Sequence, residues 1–184
     1  MAKILLVNPV IRAEDNPKHV PYGLALVAAV ADKAGHEVQV FDANAWRPGD
    51  AMLREALSAD KWDVIATGGM TTSYGYIKKT VQFAREVCPE AKIVLGGGFL
   101  SSMPTDIMEM LPEADFGVIG ESFVTWPDLL ERLDAGRTDW GRCLGLIYRD
   151  EERAVRLTGS RPLIPNLDVL PLPAWDMFPL DIYF

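Results

Sequence analysis

The sequence predicts an α/β fold built on a doubly wound parallel sheet of five strands in the order 2-1-3-4-5. Two observations indicate this fold. Short apolar runs of the length of buried strands recur through residues 3–119, and breaker residues bound them. Between these runs lie segments of helical length, and strands that alternate with helices form a parallel sheet covered on both faces. Five such units in a chain of this length fit a flavodoxin-like arrangement.

The elements follow in chain order. The predicted strands cover residues 3–7, 37–42, 62–67, 92–95 and 115–119. The first helix begins at Pro21, because proline suits a first helical position, and it ends at Gly35. Further helices are predicted over residues 52–57, 74–87 and 124–133.

The pattern changes after Gly136. Two short runs, residues 144–149 and 154–157, flank an acidic turn and predict a hairpin. Beyond Arg161, prolines recur among large apolar residues, which excludes a regular helix or a central strand and predicts an extended, Pro-rich strap. We therefore expect an α/β domain over 1–137, a hairpin appendage over 138–160 and a linker over 161–184.

Composition argues against several classes of protein. The formal charge is 18 − 26 = −8, and without basic clusters we expect no binding to nucleic acid or to an anionic membrane. No apolar run approaches the roughly 20 residues of a membrane span, and the N-terminus lacks the pattern of a secretory signal. The two cysteines, Cys88 and Cys143, stand far apart, so we expect a cytoplasmic protein without disulfides or structural zinc.

Candidate binding residues follow the strands, because ligands of such sheets bind beyond the carboxyl ends of the strands. The candidates are Asn8, Pro9, Pro21, Tyr22, Gly23, Thr71, Thr72, Ser73, Tyr74, Gly96, Gly97, Gly98, Gly120 and Glu121. The loops hold no Ser-His-Asp set and no facing pair of carboxylates, so no catalytic residue is predicted. Backbone amides and small hydroxyls suit the amides and phosphates of a large ligand, and the sequence predicts a binding site.

Three consecutive glycines, residues 96–98, end the fourth strand. Without a Cβ they allow either a sharp turn or the close approach of a bulky group, and both interpretations stay open. A phospho-acceptor receiver would need acids where Asn8 and Thr67 stand, and a dinucleotide site would need G-x-G-x-x-G after the first strand. A flavin stays an alternative, although the hydroxyl-rich loop follows the third strand and not the first.

Several motifs together support a more specific interpretation. They are KILLVNP at 3–9, PYGL at 21–24, GHEV at 35–38, VLGGG at 94–98, VIGE at 118–121, GLIYR at 145–149 and LDVLPLPAWDMF at 167–178. Their order and spacing resemble the N-terminal cobalamin-binding domain of class B radical SAM enzymes. This is the group that contains the anaerobic magnesium-protoporphyrin IX monomethyl ester cyclase and many cobalamin-dependent methylases.

The resemblance implies a module that holds cobalamin base-off, for methyl transfer or radical chemistry. The radical SAM domain of the same parent chain would carry a [4Fe–4S] cluster and S-adenosylmethionine. Two cysteines cannot supply the three ligands of that cluster, so the chemistry is expected to lie outside this chain.

The resemblance also implies roles for residues. The three glycines would let the nucleotide tail of the corrin pass close to the backbone, and Gly97→Val would block the tail without loss of the fold. Thr71, Thr72 and Ser73 would bind the tail or its phosphate, or alternatively cap a helix. Glu121 would accept hydrogen bonds from corrin amides or a ribose, or be an ordinary acid at a helix start.

Aromatic residues and histidines have alternative roles as well. Tyr22 and Tyr74 would lie flat under the corrin or pack in the core. Trp126 is expected to help to pack the strap and hairpin onto the domain, and His36 to be structural.

Two departures from the wider family stand out. Other cobalamin domains carry D-x-H-x-x-G, with the histidine beneath cobalt, whereas Asp15, His19 and Gly23 are each four apart. His19 is thus a weak candidate metal ligand, and the lower face of cobalt stays unassigned. Glu121 is followed by Ser122 and Phe123, whereas the family usually reads Gly-Glu-Gly-Glu. The alternatives are a flavin- or nucleotide-binding flavodoxin-like protein and a degenerate domain with a docking role.

Overall fold

The structure, a computed structural model, describes residues 1–12, 14 and 16–184. Its strands are β1 (Lys3–Asn8), β2 (Glu37–Asp42), β3 (Val64–Gly68), β4 (Lys92–Gly96), β5 (Phe116–Val118), β6 (Leu146–Arg149) and β7 (Val155–Leu157). Its helices are α1 (Tyr22–Lys33), α2 (Ala43–Trp46), α3 (Asp50–Ser58), α4 (Tyr74–Val87), α5 (Gly98–Ser102), α6 (Pro104–Met110), α7 (Ser122–Asp134) and α8 (Leu180–Tyr183). Within this part of the chain, no helix is long and apolar enough to cross a membrane.

The strands form one sheet in the order β2-β1-β3-β4-β5-β6-β7. The first five are parallel, so the predicted fold class and the order 2-1-3-4-5 are confirmed. The predicted count of five strands is wrong, because β6 pairs antiparallel with β5 and β7 with β6. The predicted hairpin thus continues the sheet and covers the edge of β5, whose backbone groups would otherwise lack partners. The domain boundaries at 137 and 160 stay predictions.

Two hydrophobic clusters cover the two faces of the sheet. One contains buried residues of α3, α4, α5 and α6, and the other contains buried residues of α1 and α7. The parallel strands are apolar on both faces, as expected for strands covered by helices on both sides.

The sequence predicts no helix between the fourth and fifth strands, and the structure has α5 and α6 there. Pro104 is the first residue of α6, a position where its missing N–H costs no hydrogen bond. The short helix α2 was not predicted either. It begins after Asp42, whose Oδ1 accepts a hydrogen bond from the N–H of Ala45 at 3.1 Å.

Residues 161–184, which we call the strap, run across the α1 and α7 side of the domain. At its start, Arg161 donates hydrogen bonds to Oγ1 of Thr125 at 2.9 Å and to Oδ2 of Asp128 at 2.5 Å. Further along, the N–H of Ala174 donates to the carbonyl of Ala25 in α1 at 3.1 Å. The strap ends in α8, a turn of helix that the proline pattern did not predict.

Candidate functional site

A cavity of about 480 Å³ opens at the carboxyl edge of the sheet. It lies between the sheet and the helices α1 and α7, and we call it the slot. Its volume falls in the range of roughly 300–1,000 Å³ that is typical of small-molecule sites. Exposed residues such as Met70 and Glu121 stand at its mouth, so the slot is open to solvent at this edge.

Apolar side chains of neighbouring strands form the floor of the slot: Leu6, Ala66, Val94 and Val118. Leu6 lies opposite Ala66, and Ala66 lies opposite Val94. Gly68 and Gly96 follow two residues later and are again opposite each other. Since alternate residues of a strand share a face, the floor ends at the edge in two positions without a side chain.

The walls of the slot come from α1 and α7. Gly23 and Ser122 lie in the first turns of these helices, while Val27 and Trp126 lie one turn, about 5.4 Å, deeper. Neither helix has a side-chain cap at its N-terminus. The starts of two helices therefore lie at the mouth without a side-chain cap among the described residues, and the helix dipole there favours a negatively charged group of a ligand.

The three glycines at the edge of the sheet differ in the space that a Cβ would find at each position. Gly97 has a φ of +87°, and a Cβ there would lie 2.6 Å from the nitrogen of Gly69. A valine at this position would therefore disrupt the turn, which contradicts the expectation that Gly97→Val would spare the fold. Gly96 has no atom within 4 Å of a Cβ position, and Gly98 only the oxygen of Gly69 at 4.0 Å. Of the three consecutive glycines, Gly96 and Gly98 are thus the two that no contact within the protein requires to be glycine.

Two buried polar atoms beside the slot lack a hydrogen-bond partner among the described residues. They are Oγ of Ser73 and Nε1 of Trp126, in side chains that are 1% and 2% exposed. Buried polar groups are normally paired, because a missing partner costs about 1–3 kcal/mol. Neither atom is exposed to the slot, so a ligand there does not reach them in this arrangement of side chains.

The structure brings ten of the fourteen predicted residues to the slot: Asn8, Pro9, Pro21, Gly23, Ser73, Gly96, Gly97, Gly98, Gly120 and Glu121. Thr71 and Thr72 are exposed in a 3-10 turn outside its lining. Their binding role is not supported by this position, because Ser73 alone turns inward beside Gly69.

The two predicted tyrosines do not line the slot either. Tyr74 packs against the core cluster on the opposite face of the sheet. The ring of Tyr22 lies 5.9 Å from that of Trp175 in the strap. Tyr74 thus corresponds to the core-packing alternative, whereas Tyr22 is exposed and lies outside the core; neither ring lines the cavity.

Asn8 borders the slot, but its side chain serves the fold. Its Nδ2 donates to Oδ1 of Asp42 at 2.7 Å, and the hydroxyl of Tyr183 donates to Oδ2 of the same carboxylate at 2.8 Å. Burial, together with Asp42, raises the pKa of Tyr183 well above its ordinary value. The hydroxyl thus stays protonated as a donor, and the network ties the end of the strap to the edge of the sheet.

Glu121 precedes α7 and makes no side-chain cap. Its carboxylate accepts a hydrogen bond from the N–H of Ile164 in the strap at 3.4 Å. The carboxylate is exposed at the mouth of the slot, where it can also accept hydrogen bonds from a ligand. Its predicted binding role stays open, beside a contact that positions the strap.

No metal site is formed by the described residues. His19 is exposed in the loop before α1 and does not line the slot. Asp15, which was compared with the aspartate of the D-x-H-x-x-G motif, lies outside the described residues. His36 is buried, and its Nδ1 accepts a hydrogen bond from the N–H of Ala2 at 3.1 Å, which is the structural role expected of it.

The sequence did not predict that apolar residues of the strands and of α7 line the slot. Trp126 packs in the cluster that contains Leu146 of the hairpin and Ala174 of the strap, as expected, and it also lines the slot. A signal was present, because Ala66 and Val94 stand two residues before the glycines of their strands and must share their face. Trp126 likewise stands four residues after Ser122, on the same side of a helix.

Comparisons with known proteins agree with this geometry. The family model of the B12 binding domain matches residues 9–130. An uncharacterized methyltransferase of Pyrococcus horikoshii is 31% identical over 98% of this chain. An anaerobic magnesium-protoporphyrin IX monomethyl ester cyclase of Synechocystis is 29% identical, again over 98%. The chain spans 40% and 37% of the lengths of these relatives.

A solved structure has the same fold. The radical S-adenosylmethionine methyltransferase TsrM from Kitasatospora setae, with cobalamin and a [4Fe-4S] cluster bound, superposes with a TM-score of 0.75 at 22% identity. The match covers 93% of this chain and 31% of that one.

Proposed function

The chain belongs to the B12 binding domain family, and we propose that it holds cobalamin base-off across the carboxyl edge of its sheet. The observation that carries the proposal is the slot, which is open at the edge, apolar within and has the starts of α1 and α7 at its mouth. A nucleotide tail has this combination of a flat apolar base and polar groups. The corrin would lie outside, over the edge that Gly96 and Gly98 leave bare.

Different residues of the slot would bind different parts of the ligand. The helix starts at Gly23 and Ser122 would receive the phosphate of the tail, since free N–H groups and the helix dipole favour an anion there. Leu6 and Val94 would contact the apolar part of the tail and exclude water from it.

The chain also has a proposed place in a longer protein. Its relatives are longer, and TsrM contains a radical SAM centre with its cluster. We infer that the parent protein joins this module to a radical SAM domain with a [4Fe–4S] cluster and S-adenosylmethionine, in the cytoplasm. Bound cobalamin would supply a cobalt centre for methyl transfer or radical chemistry, and the substrate would bind to that other domain.

The proposal is tested by reconstitution. The chain is incubated with hydroxocobalamin and passed through gel filtration, and the absorption spectrum of the protein peak is recorded. We expect a retained corrinoid with a base-off spectrum. Retention of flavin mononucleotide, and not of cobalamin, in a parallel column would overturn the proposal in favour of a flavin site.

A pair of glycine variants tests whether the ligand binds at the glycine edge. Gly96→Val puts a branched side chain on the floor side of the edge, where a Cβ meets nothing within 4 Å, and we expect it to abolish retention. Gly49→Val is the matched control, because Gly49 also has open space and an extended backbone but lies away from the slot. Equal retention by both variants would remove the glycine edge from the site.

A further inference from the structure

The hydroxyl of Tyr183 lies at the centre of a buried network at the edge of the sheet. It donates to Oδ2 of Asp42 at 2.8 Å and accepts from Nδ2 of Asn44 at 3.4 Å. Asp42 and Asn44 are 0% and 2% exposed, and Tyr183 is also buried. Because these side chains are enclosed, solvent water does not compete with the hydroxyl for either partner.

Each partner of the hydroxyl also holds a residue that lines the slot. Oδ1 of Asp42 accepts a hydrogen bond from Nδ2 of Asn8 at 2.7 Å, and Oδ1 of Asn44 accepts one from the N–H of Ile11 at 3.1 Å. Asn8 and Ile11 both line the slot. Asn8 stands two residues after Leu6 in β1, so it shares the face on which the floor of the slot lies.

The same hydroxyl attaches α8 to the rest of the domain. Among the described residues, the backbone N–H groups of residues 179–184 bond only to carbonyls of residues 178–180. The side-chain hydrogen bonds of this segment are the two that Tyr183 makes. Release of α8 would therefore remove the hydroxyl from both of its partners at once.

The loss of this hydroxyl would disturb the slot through both partners. Within the described part of the chain, only Tyr183 donates to Oδ2 of Asp42, whereas Asn8 and Ala45 donate to Oδ1. A buried carboxylate oxygen without a donor is costly, so the carboxylate would shift and take the amide of Asn8 with it. The amide of Asn44 would at the same time lose the acceptor that fixes its orientation.

We propose that Tyr183 is a positioning residue for the β1 side of the slot, so that cobalamin binds more tightly when α8 is docked. This inference rests on the proposed function, because it requires cobalamin in the slot. Coupling between two equilibria is reciprocal. Bound cobalamin therefore holds α8 in place by the same factor by which docked α8 improves the binding of cobalamin.

The first test measures the affinity of the full chain for hydroxocobalamin by titration of the absorption spectrum. Tyr183→Phe keeps the ring but removes the hydroxyl, and it should weaken binding by about 5- to 30-fold. Tyr76→Phe is the matched control, because it removes a buried hydroxyl that has no partner among the described residues and packs against the opposite cluster. It should change the affinity by less than about twofold.

A second control separates positioning from a general loss of stability. Ile107 is buried in the cluster on the opposite face and does not line the slot. Ile107→Val removes a methyl group from that core and destabilises the chain, but it should leave the affinity for hydroxocobalamin within about twofold of the parent. Circular dichroism confirms that each variant is folded.

The reciprocal effect is measured by hydrogen exchange and mass spectrometry. Exchange in a peptide that covers residues 175–184 should become slower when the parent chain binds hydroxocobalamin. The factor should be at least as large as the loss of affinity in Tyr183→Phe, because that substitution removes only the hydroxyl and not the whole docked helix. Hydroxocobalamin should slow this exchange less in Tyr183→Phe.

A third measurement needs no ligand. The N–H of Ile11 should exchange at least about tenfold faster in Tyr183→Phe than in the parent chain. Asn44→Ala removes the acceptor of this N–H, and it should give a similar increase. Nuclear magnetic resonance of the labelled chain without cobalamin measures both rates.

The outcomes distinguish this inference from the proposed function. If the chain binds no hydroxocobalamin, the proposed function fails and this inference with it. If the chain binds but Tyr183→Phe has the affinity of Tyr76→Phe, or if Ile107→Val weakens binding as much, the module binds cobalamin but Tyr183 does not position its site. Exchange in the C-terminal peptide that hydroxocobalamin leaves unchanged, or an Ile11 N–H that Tyr183→Phe leaves unchanged, would overturn the inference in the same way.

Discussion

Replacing Gly97 by alanine should damage the fold and not only the site. Gly97 has φ +87° and ψ −179°, a backbone conformation that is essentially restricted to glycine. A Cβ would lie 2.6 Å from the nitrogen and 2.7 Å from the oxygen of Gly69. Both are backbone atoms of the neighbouring loop, and neither can move without displacing the end of β3.

The size of the effect follows from these two contributions. A residue with a Cβ in this conformation costs about 1–3 kcal/mol, and forcing an extra carbon against packed atoms costs about 1–3 kcal/mol more. The free energy of unfolding should therefore fall by roughly 2–6 kcal/mol. For a chain of this length, about 2–4 °C of Tm corresponds to each kcal/mol, so Tm should fall by roughly 5–20 °C.

Urea and thermal unfolding followed by circular dichroism measure this loss, and the adjacent glycine provides the control. Gly96→Ala adds a Cβ in open space at an ordinary φ, and it should change the free energy of unfolding by less than about 1 kcal/mol. If Gly97→Ala proved as stable as Gly96→Ala, the close approach of the glycine turn to Gly69 would be refuted. Gly97 would then again be a candidate for contact with the ligand, as the sequence predicts.

Three further changes test the contacts around the site by urea unfolding. Tyr183→Phe removes a hydrogen bond from the fully buried carboxylate of Asp42 and should destabilise the chain by about 1–3 kcal/mol. Arg161→Met releases the strap from Asp128 and should cost about 1–2 kcal/mol, since both groups are partly exposed. Burial lowers the pKa of His36 below 6.5, so its neutral form stabilises the fold near pH 7. This contribution is lost as the pH falls below 6.5 towards the lowered pKa, and His36→Asn should show less of that loss.

Exposed residues of the same types serve as controls. Tyr22→Phe, Arg142→Met and His19→Asn change side chains that lie at the surface, and each should stay within about 0.5 kcal/mol of the parent. A loss in Tyr183→Phe no larger than in Tyr22→Phe would show that the end of the strap is not held by the carboxylate. If His36→Asn kept the parent's dependence of stability on pH between 7 and 5, the titration would belong to another group.

The parallel part of the fold was predictable because each strand carries its own local signal. The apolar run of β4 and the breakers at Gly96 need no knowledge of distant residues. The edge at which the hairpin joins the sheet is different. Leu146 meets Val118 only after the intervening helix α7 has folded back, and nothing in either run specifies that pairing. The strand count was wrong for this reason.

The site shows the same division between local and non-local information. Residues at the ends of strands were found because turns have local signatures, and Ser73 and Gly96 lie at the slot as predicted. The role of Asn8 was not predictable, since its partner Asp42 is 34 positions away. Tyr22 and Tyr74 look alike in sequence, yet one contacts the strap and the other packs on the opposite face.

The two faces of the sheet differ at the edge where the slot opens. After the three glycines, Phe99 turns towards the α3–α6 face, and it is 2% exposed in that core cluster. On the α1 face the corresponding positions hold small residues, with Gly23 and Ala25 in the helix and Ala66 in the strand. The sheet is therefore closed by its own aromatic residue on one side and left open on the other. A tail in the slot would take the place on this face that Phe99 fills on the opposite face, and this is why the proposed site lies between α1 and α7.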